Sequence, residues 1–244
     1  MKRVALLVVT LLASAAPACV EPGRTSVRVP IAGVGTGTRS FVVRDATITL
    51  DEARIAWGPA YFCTTPFADF DLCPTALAEV RSVSTIDALD PSPQPLGALT
   101  GIDGTVRSAM FDYGISWLLP AADPAPDPGA VDGRHSAHFA GVAERNGVRT
   151  RFVIDVDVVP STSGISAAHG VAVRHRLAAR PDALTLRFDP EVVFGGSDFA
   201  ELETLPGDPV IVPESSTLYQ SVVIALSSAE TPTFEWMARD EESP

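Results

Sequence analysis

His135–Arg145 (HSAHFAGVAER) and Val148–Val159 (VRTRFVIDVDVV) flank the dipeptide Asn146-Gly147, and this stretch decides the fold. Asn-Gly tolerates the positive φ that a type I′ turn needs at both central positions, so the two arms should fold back as an antiparallel hairpin. In the second arm Val148, Phe152, Ile154, Val156 and Val158 alternate with Arg149, Arg151, Asp155 and Asp157. A period of two puts the first set in a core and leaves the second in water.

Working outward, Phe41–Leu50, Ala53–Cys63, Ala78–Ile86 and Asp103–Leu118 have the β-branched and aromatic content of strands. Pro59 marks its run as an edge strand or a bulge. Gly170–Ala178 and Ala183–Phe188 read as a further strand pair joined across Arg180-Pro181-Asp182, and Thr233–Met237 as the last strand, with Phe234 and Trp236 on the sheet. Pro120–Gly133 is too rich in Pro, Gly and Asp for a packed element. Ser197-Asp198 can cap a short helix through Leu202, and Leu218, Val222, Val223 and Leu226 recur at helical spacing after Ser215-Ser216, so a helix is preferred there, with a strand at Val222-Val223-Ile224 as the alternative. With 18 Gly and 21 Pro in 244 residues, the pattern predicts an antiparallel β-sandwich of the Ig-like or transthyretin-like kind with one or two short helices. That single domain is expected over residues 39–238, followed by a disordered tail, 239–244.

The N-terminus carries an address. Lys2 and Arg3 precede the apolar run Val4–Leu12 and the small-residue stretch Ala13–Ala18, which is signal-peptide grammar for residues 1–18. The apolar stretch is shorter than the ~20 residues that cross a bilayer as a helix. Ala16-Pro17-Ala18-Cys19 resembles the bacterial lipobox, which implies a lipid-modified Cys19. Plain secretion with cleavage after Ala18 is the alternative. Val20-Glu21 puts no Asp directly after Cys19, as in lipoproteins sorted to the outer membrane. Residues 19–38, with Pro22, Gly23, Pro30, Gly33, Gly35 and Gly37, are expected to be the lipidated cysteine and a flexible tether. Cys63 and Cys73 then remain as an even pair in an oxidising compartment, which predicts a disulfide.

The formal charge is −12, and losing residues 1–18 removes two basic residues and no acid, giving −14. So acidic a chain has no electrostatic footprint for nucleic acid, and its membrane contact should come from the N-terminal lipid. The expected partner is an envelope protein or a small ligand.

Chemistry-bearing residues are few. His135 and His138 are the densest ligand cluster, and with His169 they form the candidate metal set, with copper as the ion. On a regular strand positions i and i+3 point to opposite faces, so His135 and His138 converge only where the backbone bends. His169 and His175 would lie about 20 Å apart on one continuous strand. Asp155 and Asp157 share a face and read as cross-strand charge partners rather than as an acid/base pair. Gly164-Ile165-Ser166-Ala167-Ala168 lacks the final glycine of G-x-S-x-G, and neither HExxH nor a phosphate loop occurs. Trp57, Tyr61, Trp117 and Trp236 are either core residues or the lining of a ligand groove. No cofactor is required and no enzyme is expected; a hydrolase on a β scaffold is the alternative.

Asp45–Phe62 together with Gly104-Thr105-Val106-Arg107-Ser108-Ala109-Met110-Phe111-Asp112-Tyr113-Gly114-Ile115 resembles uncharacterised lipoproteins of Gram-negative bacteria. The same segments, with His135–Gly141 and Asp189–Gly196, resemble the MbnP-like periplasmic family, some of whose members bind copper. The resemblance spans about residues 40–235. It implies a copper-binding periplasmic module as a second reading, with His138 at the ligand position; the family's aromatic-rich segment after Gly114 is reduced here to Trp117.

Overall fold

The computed structural model describes residues 24–67, 73, 76–117, 121–178, 183–228 and 230–237. The signal peptide, Cys19 and the tail 239–244 lie outside them. The central hairpin forms as predicted. Asn146 and Gly147 take φ of 51° and 78°, and the arms pair in register from Arg145 opposite Val148 to Ala137 opposite Val156. Phe152, Ile154, Val156 and Val158 are buried, whereas Val148, beside the turn, is 54 % exposed.

The strands, in chain order, are β1 (Ser26–Gly35), β2 (Ser40–Val43), β3 (Ala46–Trp57) and β4 (Ala60–Cys63). They continue with β5 (Ala76–Val80), β6 (Ser84–Asp87), β7 (Gln94–Ile102) and β8 (Gly104–Phe111). Next come β9 (Ile115–Ser116), β10 (Ala125–Pro126), β11 (Ala137–Arg145) and β12 (Val148–Val156). The last are β13 (Ala168–Leu177), β14 (Ala183–Phe188), β15 (Val210–Ile211) and β16 (Thr233–Met237). One sheet of eight strands has the order β13-β8-β4-β5-β7-β1-β14-β16. A second has the order β15-β12-β11-β3-β2 with β6 also on β3, and β9 and β10 pair separately. Pairing is antiparallel apart from the parallel pairs β1–β14 and β12–β15.

The fold is mostly β, as expected, but the larger sheet curls far enough to be barrel-like. Phe62 on β4 meets Phe234 and Trp236 on β16 at ring-centroid distances of 6.1 and 6.3 Å, and Phe111 on β8 meets Phe234 at 5.8 Å. His175 on β13 stacks on Trp236 at 3.9 Å, so side chains join the sheet's two outermost strands. The main apolar core runs between the curled sheet and the smaller one, from Val29, Phe62 and Leu99 to Ile55, Phe139 and Ile154.

Five expectations need correction. Residues 26–35, assigned to the tether, are β1, an interior strand between β7 and β14. Val27, Val29 and Ile31 alternate with exposed Arg28 and Pro30, and that period was hidden by the Pro/Gly content. Gly35 serves close approach rather than flexibility, since a Cβ there would sit 2.1 Å from the Ala88 carbonyl oxygen. Pro59 marks no edge: the chain leaves the smaller sheet at Trp57 and re-enters the larger as β4, an interior strand between β8 and β5. The run 78–86 divides the same way, β5 in the large sheet and β6 on β3. β13 and β14 do not pair with each other; β13 pairs β8 and β14 lies between β1 and β16. The second half of Pro120–Gly133 is packed, with Ala130 and Val131 buried against Ala56 and Val83.

The helical expectations hold. A 3-10 turn, Phe199–Glu203, is capped by Asp198, and α2 (Thr217–Ser227) by the Ser216 hydroxyl accepting from Tyr219 N–H at 3.0 Å. Unforeseen was α1 (Pro190–Phe194), which drives Phe194 against Phe41, Phe139, Phe152 and Phe199. Cys63 and Cys73 are disulfide-bonded and packed on Met110 and Tyr61. Closing a loop of this length stabilises the fold by about 2.5–3 kcal/mol on the chain-entropy account.

Candidate functional site

β11 buries its odd-numbered positions and sends His138 outward, between β3 and β12. His138 Nδ1 donates to Asp155 Oδ1 at 2.6 Å, and its Nε2 lies 3.6 Å from Glu52 Oε2. His135 precedes the strand in a bend closed by reciprocal backbone hydrogen bonds with Val131 of 2.8 and 2.9 Å. That bend resolves the parity conflict: His135 Nδ1 donates to Asp157 Oδ1 at 2.9 Å, and Asp157 lies two residues from Asp155, on the same outer face. Arg54 completes the patch with a two-pronged pair to Asp132, at 2.8 and 3.2 Å, which lowers the Asp132 pKa. Each histidine therefore has its Nδ1 held by a carboxylate, and the Nε2 of His138 faces the Glu52 carboxylate.

His169 does not join them; it stands exposed on β13 in the other sheet. Among the described residues, no group of three or more His, Cys, Asp and Glu side chains gathers where it could hold a metal ion. Asp45 pairs with Arg145 at 2.7 Å. A shallow groove of about 670 Å³ flanks the hairpin tip, lined by Val142, Arg149, Arg151, Leu202, Leu205 and Val210 among others.

A second place was not singled out from sequence. Just beyond β8, Asp112 points to the outer side of the large sheet, where the segment through Gly164–Ala167 covers it and Ala167 N–H donates to its Oδ1 at 2.7 Å. Asp112 is only 4 % exposed. Desolvation pushes its pKa up to about 7, against the smaller opposing effect of the Ala167 hydrogen bond. Beside it is a cavity of about 50 Å³ lined by Asp112, Ser116 and Ser166, with Pro59, Tyr61, Trp117 and Ile165 also around it. Burial raises the Tyr61 pKa, and the Asp112 charge raises it further. The sequence signal was a carboxylate set between Met110-Phe111 and Tyr113 in an otherwise apolar run.

The aromatic candidates divide accordingly. Trp57 is wholly buried beside Phe111, and Trp236 packs on Phe62 and His175. Tyr61 and Trp117 flank the small cavity. Ser166 of the incomplete nucleophile pattern lines that cavity too, and among the described residues no base is hydrogen-bonded to its hydroxyl. No family model matches the chain, and no curated protein matches it. Among solved structures it is similar to MbnP from Methylosinus trichosporium, at 13 % identity and a TM-score of 0.38, over 88 % of this chain and 99 % of that one.

Proposed function

We propose that this chain is a lipoprotein of the cell envelope, anchored through Cys19 in the outer membrane, that binds a small ligand or an envelope protein without chemically changing it. The observation that carries the reading is the Cys63–Cys73 disulfide, a bond that persists outside the reducing cytosol and agrees with the export signal of residues 1–18. No helix of the described residues is long and apolar enough to cross a membrane, and in this reading the attachment is the N-terminal lipid. Acyl chains contribute about 0.8 kcal/mol per buried CH₂, and two or more anchor stably. Cys19→Ala should therefore move the protein from the membrane fraction to the soluble periplasmic fraction in cell fractionation. Retention in the membrane fraction would sink the anchor.

A copper-binding module is the second reading, favoured by the two carboxylate-held histidines on one face. Copper(II) titrated into the mature protein should then bind tighter than micromolar, and His135→Ala with His138→Ala should remove that binding. Unchanged binding in the double variant, or none in the parent, would end this reading.

A further inference from the structure

Asp112, Ser116 and Ser166 are 4 %, 5 % and 6 % exposed, and all three line the cavity of about 50 Å³. One Asp112 oxygen accepts from Ala167 N–H. Its other oxygen and the two serine hydroxyls have no partner among the described residues. None of these three oxygens is sealed from solvent, so water meets them in the free protein, and a group with N–H donors that displaces it finds acceptors on the residues around one void. The charge is uncompensated as well. The groups facing Asp112 are Tyr61 on β4, Ser116 on β9 and the uncharged 164–167 segment. Beyond Tyr61, the Arg81 guanidinium is already tied to Glu79.

We propose that this slot binds a primary ammonium group. An ammonium has three N–H donors, and the void offers three free acceptors: one carboxylate oxygen and two hydroxyls. A space of this size holds one or two waters or a single cationic head. The planar five-donor guanidinium is too broad for it, and a hard divalent cation seeks six or more oxygens. The Tyr61 and Trp117 rings, with Pro59 and Ile165, supply apolar and aromatic surface for the methylene stem and the cation. The source is either a free small amine or a lysine side chain of a partner protein. This inference rests on the chain being a binding protein and on neither Cys19 nor the histidines, so failure of the fractionation test leaves it standing.

The test uses the full mature chain with Cys19→Ala for solubility, at pH 8, following the Ala167 amide and the Trp117 indole N–H by NMR. The probes are propylammonium chloride, a capped Gly-Lys-Gly peptide and sodium chloride. Propylammonium should shift both signals saturably in the millimolar range, and binding should weaken as the pH falls to 6 and Asp112 takes up its proton. Asp112→Asn should weaken binding by about tenfold or more, and Ser116→Ala, which keeps the charge, by about threefold to tenfold. Equal response to the peptide assigns the site to a protein lysine, and response to propylammonium alone assigns it to a small amine; both uphold the site. An equal response to sodium, a response unchanged in both variants, or no saturable shift, which would leave ordered water as the occupant, overturns the proposal.

Discussion

Val29→Asp is expected to leave the protein largely unfolded, whereas Arg28→Asn, one residue away, should change stability by about 0.5 kcal/mol or less. Val29 is 1 % exposed and sits opposite Leu99, itself fully buried, on an interior strand of the large sheet. A carboxylate there has no cation to meet, and an unpaired buried charge belongs to the few changes that cost ~4 kcal/mol or more. Against a total stability of roughly 5–15 kcal/mol, and with the β1 contacts to β7 and β14 also strained, the native state should lose most of its margin. Urea unfolding followed by circular dichroism decides it. If the two variants melt alike, residues 26–35 behave as the tether that their composition suggested, and the placement of β1 fails.

That strand shows what was legible and what was not. The hairpin around Asn146-Gly147 could be read because turn chemistry and a clean period of two agree over twenty residues. The capped helices could be read because Asp198 and Ser216 announce them. β1 was masked because Pro30, Gly33 and Gly35 look like linker residues, yet Pro30 faces outward and Gly35 allows Ala88 to press against the backbone. The sheet changes at Gly58-Pro59 and between Val80 and Ser84 were invisible, because a strand continuing into the facing sheet keeps the same alternation it had before. His135 and His138 were visible as residues, but their common face depends on the Val131–His135 bend, a tertiary feature. Asp112 was passed over because only the covering segment, more than fifty residues later, buries it.

Asp112→Asn should stabilise the protein at pH 8 by about 3–4 kcal/mol and flatten its stability between pH 4 and 7. The sign follows from linkage. Asp112 has its folded pKa raised from 3.8 to about 7, so the native state holds a proton that the unfolded chain releases over that interval. The free energy of unfolding then falls by about 1.36 kcal/mol for each pH unit climbed through the window, and the full penalty remains above it. Below pH 4 both states are protonated and the group contributes nothing. Asparagine carries no charge to desolvate, keeps a carbonyl oxygen for Ala167 N–H, and turns an amide donor toward the hydroxyls of Ser116 and Ser166. Other titrating groups, such as Asp132 with its pKa lowered by Arg54, act equally in both proteins and cancel in the difference. For a chain of this size each kcal/mol corresponds to roughly 2–4 °C in Tm, so the variant should melt about 10 °C higher at pH 8 and nearly alike at pH 4. A difference between the two proteins that stays constant with pH would mean that Asp112 is ionised in the native state throughout, and an asparagine variant weaker at pH 8 would mean that its charge is already balanced there.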